Sequence, residues 1–380
     1  MTKPLANILV IDFSQFLSGP SCTLRLADLG AEIIKIEKPV TGDICRQLYV
    51  SNLVIEGQSS IFHAINRNKK SFVADLKNQK DIGQIKKLIA VADVLVHNYR
   101  PGVMERLGLD YETIKSINKN IIYADISGYG SQTEWKGEPG QDLLVQGVSG
   151  LAWLSGANND GPVPMGISVT DILAGTYLTQ GILAALYNRA VTGEGSSIQV
   201  NMLESSMEFQ FEAFTTFLND GNELPVRSLQ NPSHAYVSAP YGIYETQTGY
   251  LALAMGKIPF IGELIECTLL ADYTETDGFD KRDEIKGVLA KHLLTNTTSH
   301  WLDKLEPADI WCAEVFDYEK LRAHEAYQVL DMEQTVVTTA GTSITTTRCP
   351  IKINGNIFTS PVAAPSLGEH TEAIIKRFKL

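Results

Sequence analysis

Along the first half of the chain, hydrophobic positions switch between a strand period and a helix period. Ile8–Phe13 (ILVIDF) is a short β-branched run of the buried-strand type, and SGPSCTLRLADLG after it reads as a helix that Gly30 stops. Glu32–Glu37 (EIIKIE) predicts a second strand, ended by Pro39, and Ser71–Leu76 a third. Lys80–Val91 sets Ile82, Ile85, Leu88 and Ile89 on one face and predicts an amphipathic helix. Asp93–His97 and Ile121–Ile126 are strands again, with a helix over Tyr111–Ile117 between them. Strands alternating with helices in this way predict an α/β protein with a Rossmann-like parallel sheet covered on both faces. Such a sheet takes its ligands beyond the carboxyl ends of its strands, here Ser14–Gly19, Lys38–Gly42, Asn98–Gly102 and Ser127–Gly130.

The pattern then changes. Asp171–Ala190 predicts a long helix with small residues at Ala174, Gly175 and Gly181, followed by a turn at Thr192–Gly195 and a strand at Ser197–Asn201. A second helix is expected from Met202 to Asn219. The polar, proline-bearing stretch Asp220–Pro240 reads as a linker, and Tyr241–Met255 as a hairpin. Helical segments near 260–270, 282–294 and 299–305 complete a smaller α+β domain. Thr335–Phe358, rich in Thr and Val, reads as strands, and the tail Ala363–Leu380 closes with a helix. The expected layout is a large domain over 1–224, a small domain over 225–330, and a return to the large domain over 331–380.

Composition narrows the possibilities. Thirty-two Lys and Arg stand against 44 Asp and Glu, a net charge of −12, so a general nucleic-acid binder is excluded and any anionic ligand must meet a local basic patch. The five cysteines have no CxxC spacing, so neither a zinc cluster nor a disulfide framework is expected, and no metal site is predicted. Asp12 interrupts the apolar start, which therefore reads as a strand and not a signal peptide. Ile172–Leu186 contains Thr176, Thr179 and Gln180 and reads as too short and polar to span a bilayer. A soluble, cytoplasmic protein is the expectation.

Several familiar motifs fail on inspection. Gly128–Thr133 (GYGSQT) lacks the last glycine of a dinucleotide fingerprint and follows the wrong strand, and His324–Gln328 (HEAYQ) lacks the second histidine of a zincin helix. Neither a GxSxG elbow nor a Walker A loop is present. What remains is one acid and some loops. Asp171, immediately before an apolar helix, is either a plain N-cap or a carboxylate held ionised by the helix N-terminus and able to act as a nucleophile. Asn98–Gly102 (NYRPG) suits an adenine or phosphate contact, or is simply a stiff turn. Ser18-Gly19-Pro20 either offers N–H groups to an oxyanion or only turns the chain from strand to helix.

The blocks DFSQFLSGPSCTLRLADLGAEIIKIEKP, HNYRPGVMERLG, SGYG, TDILAGTYLTQGILAALYNRAVTGEG and APSLGEHT, in this order, resemble those of family III CoA-transferases, a superfamily that includes formyl-CoA:oxalate and carnitine CoA-transferases and the α-methylacyl-CoA racemases. The resemblance runs from about residue 5 to the C-terminus. It implies an interlocked homodimer, coenzyme A thioesters and carboxylic acids as substrates, and Asp171 as the catalytic residue. It also implies an active-site loop with oxyanion donors at Gln15, Leu17, Ser18 and Gly19. The CoA contacts it implies are Lys38, Ala74, Asp75, Leu76, Lys77, Asn98, Tyr99, Arg100, Arg106 and Gln141, with Arg46 a further basic candidate. The racemases' Gly-His-Asp is Gly140-Gln141-Asp142 here. Glutamine cannot exchange an α-proton, and Asp142, one residue on, is expected to point elsewhere. The expected activity is therefore acyl-CoA:carboxylate CoA transfer, with a racemase or a non-catalytic CoA-binding protein as alternatives.

Overall fold

The computed structural model describes residues 3–48 and 52–380. The chain divides into two units. One comprises the chain up to Val145, Ser168–Phe209 and Leu330–Leu380, and the other Gln146–Ile167 and Gln210–Val329. The boundary expected at 225 thus falls at 210, and a segment assigned to the large domain, Gln146–Ile167, belongs to the second unit.

The first unit is built on six parallel strands: β1 (Leu9–Asp12), β2 (Glu32–Glu37), β3 (Lys69–Val73), β4 (Val94–His97), β5 (Ile122–Ser127) and β6 (Ser196–Asn201). Their order, β3-β2-β1-β4-β5-β6, reverses direction between β1 and β4. At such a switch point the loops leaving two adjacent strands diverge and open a crevice for a ligand. β3 starts two residues earlier than predicted. Its inward side chains Lys69 and Ser71 are polar but fully buried, so the strand's first half does not look apolar in the sequence.

Four helices matter for the site: α1 (Ser18–Asp28), α2 (Gln79–Ile89), α3 (Val169–Thr192) and α4 (Thr371–Phe378). One sheet face, through Val10, Ile33, Val96 and Ala124, packs on Cys22 and Leu26 of α1 and on Ala174, Leu178 and Ile182 of α3. The other face, through Ile11, Ile34, Leu95 and Tyr123, packs on Ile82, Ile85 and Leu88 of α2 and Ile374 of α4. Each such aliphatic side chain removed from water stabilises the fold by roughly 1.5–3 kcal/mol. At 24 residues α3 is longer than the pattern predicts, and by length and composition alone it would suffice to cross a membrane. Its Ala174, Leu178 and Ile182 are instead buried against α1 and the sheet.

The second unit holds a three-stranded antiparallel sheet of β7 (Gly242–Thr246), β8 (Gly249–Leu253) and β9 (Cys312–Glu314), with β8 central. Tyr244, Leu251 and Leu253 pack there with Ile285 and Leu289 of the helix Arg282–Leu293 and with Trp301. The single helix expected from Met202 to Asn219 is two, Met202–Phe209 and Phe211–Asn219. Gln210 leaves helical geometry at the break and donates to the Ser149 carbonyl. In the C-terminal segment β10 (Glu333–Val337) and β11 (Ser343–Thr347) form an antiparallel pair.

Candidate active site

The switch point sets the site. Beyond β1 and β4 the loops are stitched together by one side chain. Asn98 accepts from the Gln15 N–H at 2.8 Å and donates to the Gln15 carbonyl at 2.7 Å, an amide pair that mimics a strand contact where the sheet has ended. The Gln15 side chain in turn donates to the Tyr99 hydroxyl at 3.4 Å. From the β5 side, Gly128 and Gly140 pack backbone to backbone, and a Cβ on either would overlap the other. The GYG motif therefore serves close approach, and it brings Gln141 and Asp142 beside the β1 loop.

A cavity of about 480 Å³ results. It gathers Gln15, Ser18, Asn98, Tyr99, Arg100, Gln141 and Asp171 of the expected site residues, together with Phe16, Leu48, Lys136 and Asp142. Arg100 and Lys136 bring two cations to an otherwise acidic molecule, and Lys136 carried no signal in the sequence. Lys38, Ala74, Asp75, Leu76, Lys77 and Arg106 do not line this cavity, and neither do Leu17 and Gly19 on either side of Ser18. Lys38 follows β2, residues 74–77 follow β3, and Arg106 lies in the short helix Val103–Leu107 after β4. All six thus follow the carboxyl ends of neighbouring strands, and Lys38, Lys77 and Arg106 are exposed. Arg46 is different. Its guanidinium is buried and grips Glu37 with two bonds of 2.8 and 2.6 Å, leaving no fork for a phosphate.

Asp171 is not the N-cap. The helix begins at Val169, the Ser168 side chain makes no capping bond, and Asp171 is the third helical residue. The cap comes from Asp142 instead. Its Oδ1 accepts from the Thr170 N–H and hydroxyl, each at 2.8 Å, and lies 3.5 Å from the Asp171 N–H. The expectation that Asp142 points away is thereby corrected, since the Gly128–Gly140 contact swings it onto the helix head. The consequence for Asp171 reverses the expected sign. Burial first, and the Asp142 charge second, push its pKa up to about 6, against hydrogen bonds from the hydroxyl and backbone N–H of Ser18. A partly buried carboxylate that ionises close to neutrality is more basic, and hence more nucleophilic, than an exposed one.

The loop after β1 also differs from expectation in its free donors. The Gln15 N–H is bonded to Asn98 and that of Phe16 to Asp43 at 3.2 Å, while the Ser18 N–H and hydroxyl act on the Asp171 carboxylate and lower its pKa. Among the described residues, the Leu17 and Gly19 N–H groups of this loop are without an acceptor, both at the head of α1 where no preceding turn can take them.

Comparison with known proteins follows the same lines. A family model described as CoA-transferase family III matches residues 5–371. A succinyl-CoA:glutarate CoA-transferase of Mus musculus is 29% identical over 98% of this chain and 86% of its own length. An acetyl-CoA:oxalate CoA-transferase of Acetobacter aceti is 33% identical over 83% of this chain and 81% of its own. The crystal structure of a CAIB/BAIF family protein from Brucella suis superposes with a TM-score of 0.86 over 100% of both chains, at 26% identity.

Proposed function

This chain belongs to CoA-transferase family III and is an enzyme of the CoA-transferase type, and we propose that it moves CoA from an acyl-CoA donor to a free carboxylic acid through covalent intermediates on Asp171. The observation that carries the reading is the Asp171 carboxylate, raised to about 6 and lining the cavity at the strand-order switch point.

The Asp171 carboxylate attacks the donor's thioester carbonyl, the C–S bond breaks, and CoA thiolate leaves behind an acyl–aspartyl anhydride. The thiolate attacks the aspartyl carbonyl of that anhydride, freeing the donor acid and leaving an aspartyl–CoA thioester. The acceptor carboxylate attacks this thioester and expels the thiolate again, which then takes the acceptor acyl group and restores Asp171. Every step passes through a tetrahedral oxyanion, and the donors proposed for it are the unspent N–H groups of Leu17 and Gly19, which flank the cavity-lining Ser18. Arg100 and Lys136 supply positive charge for the phosphates of CoA, about four negative charges at neutral pH. Lys38, Lys77 and Arg106 extend that field along the carboxyl edge of the sheet. Racemisation is disfavoured because Gln141 does not titrate and Asp142 is committed to the head of α3. The family resemblance also underlies a reading of the chain as an interlocked homodimer.

The test is a screen of purified protein with acetyl-, succinyl- and formyl-CoA against a panel of carboxylates, with hydroxylamine trapping and peptide mapping. CoA should move to an added acid without net hydrolysis, one carboxylate should be trapped at Asp171, and Asp171→Ala should be inactive. Near-wild-type turnover in Asp171→Ala, or rapid deuterium wash-in at the α-carbon of a 2-methylacyl-CoA with no acceptor dependence, defeats the reading.

A further inference from the structure

Under the Ser14–Ser18 loop lies an ion pair that the transfer chemistry does not use. Lys35 Nζ and Asp43 Oδ2 are 2.8 Å apart, and neither side chain has any solvent exposure. Both also reach the loop backbone. Lys35 Nζ donates to the Ser14 carbonyl at 2.7 Å, and Asp43 Oδ1 accepts from the Phe16 N–H at 3.2 Å. The same Oδ1 accepts from the Cys45 N–H at 2.9 Å, which caps the short turn Ile44–Gln47, and Leu48 after that turn lines the cavity beside Phe16.

A fully buried ion pair is a poor stabiliser, because desolvation cancels most of the attraction and an apolar pair of similar volume packs as well. An apolar pair cannot, however, bond the Ser14 carbonyl and the Phe16 N–H. These two groups flank Gln15, whose own N–H and carbonyl are taken by Asn98. Phe16 stands at φ +62°, a left-handed conformation that a residue with a bulky side chain adopts only when its surroundings impose it. Two residues on, Ser18 presses against α3. Gly175, one turn beyond Asp171, has no side chain, and a Cβ there would overlap the Ser18 carbonyl and the Ser21 hydroxyl.

We propose that Lys35 and Asp43 are positioning residues for CoA transfer, clamping Phe16 in its left-handed turn so that Ser18 meets Asp171 and the Leu17 and Gly19 N–H groups stay free for the oxyanion. The pair acts through the loop and not on the substrate. The inference rests on the transferase reading of Asp171.

The test compares full-length wild type with Lys35→Met/Asp43→Leu, in which an apolar pair fills the volume, and with Asp43→Asn, which keeps an oxygen for the Phe16 N–H. Thermal melting, kcat, KM for the acyl-CoA donor and the pH profile of kcat are measured for each. The double variant should melt cooperatively, lose kcat by about 100-fold as expected for a misplaced catalytic group, and keep KM within about 3-fold. Its acid limb should move to higher pH, since the Ser18 hydrogen bonds favouring the Asp171 carboxylate weaken while the other charged groups lining the cavity, Arg100, Lys136, Glu138 and Asp142, are unchanged. Asp43→Asn should fall between, and Ser18→Ala should reproduce the limb shift with the ion pair intact. A folded double variant with wild-type kcat and an unmoved limb overturns the proposal, as does failure of both pair variants to fold, which would assign the pair to folding alone. No transfer by wild type overturns the Asp171 reading and this proposal with it.

Discussion

At Asp171, burial and the neighbouring Asp142 charge raise the pKa from an ordinary 3.8 to about 6, while Ser18 pulls it down. In the proposed mechanism the ionised form attacks, so kcat/KM should rise with pH through about 6 and level above it. Asp142→Asn removes the like charge yet keeps an oxygen for Thr170, and the limb should move to lower pH. A limb that stays in place would show that burial alone sets it. The same shift has a sign for stability. Between 3.8 and about 6 the folded protein holds a proton that the unfolded chain releases, so stability falls as pH rises through that window. At pH 7 the charged carboxylate is a net cost. Asp171→Asn should therefore melt higher than wild type by roughly 2 °C while losing turnover by about a thousandfold or more. A variant that is inactive and also less stable would contradict this account.

The helix heads carry the next scale. α1 and α3 approach closely because Gly175 presents no side chain to Ser18 and Ser21, and this contact sets the head of α1 against α3 near Asp171. Gly175→Ala should cost about 1–3 kcal/mol by overpacking and should lower turnover as well, because the loop is what moves. Gly83, exposed in the interior of α2, faces open space, so Gly83→Ala should stabilise by about 0.5–1 kcal/mol with activity unchanged. Urea midpoints with parallel assays separate the two. An unaltered midpoint in Gly175→Ala would mean the helices part without strain. At this scale the helix and strand periods were legible, but ends were not. β3 begins in buried Lys69 and Ser71, whose partners Asp12 and Glu37 lie on other strands, so local hydrophobicity gave no sign of it.

For the molecule as a whole, the return of the chain closes the first unit. β3 is the outer strand of the sheet, and its open edge is met by the C-terminal segment. The Val73 N–H donates to Thr371 at 3.0 Å, the Gly368 N–H to Ser71 at 2.8 Å, and Arg377 pairs with Glu32 at 2.6 Å. Ile374 is buried in the core from the same helix. An uncovered edge strand with unpaired backbone groups invites pairing with other chains. A chain ending at Ala364 should exchange the Ser71 and Val73 amide hydrogens far faster than the full chain, melt lower and aggregate. Unchanged protection at those amides would show that the tail is dispensable to the sheet.

Alternating periods of strand and helix determined that the first half is a parallel α/β sheet with loops at the strand ends, and an apolar run after one acid marked Asp171 at a helix head. These are local properties, carried by residues within a few positions of one another. Tertiary structure alone decided which groups are spent. Arg46 reads as a basic contact until Glu37 takes its fork, and the Gln15 N–H reads as an oxyanion donor until Asn98, 83 positions away, accepts it. Asp142 reads as misdirected until two glycines bring it to Thr170, and Asp171 reads as held ionised until burial, with the Asp142 charge second, raises its pKa. A side chain's charge state and free valence depend on partners remote in sequence and on exclusion of water, and neither leaves a period in the chain.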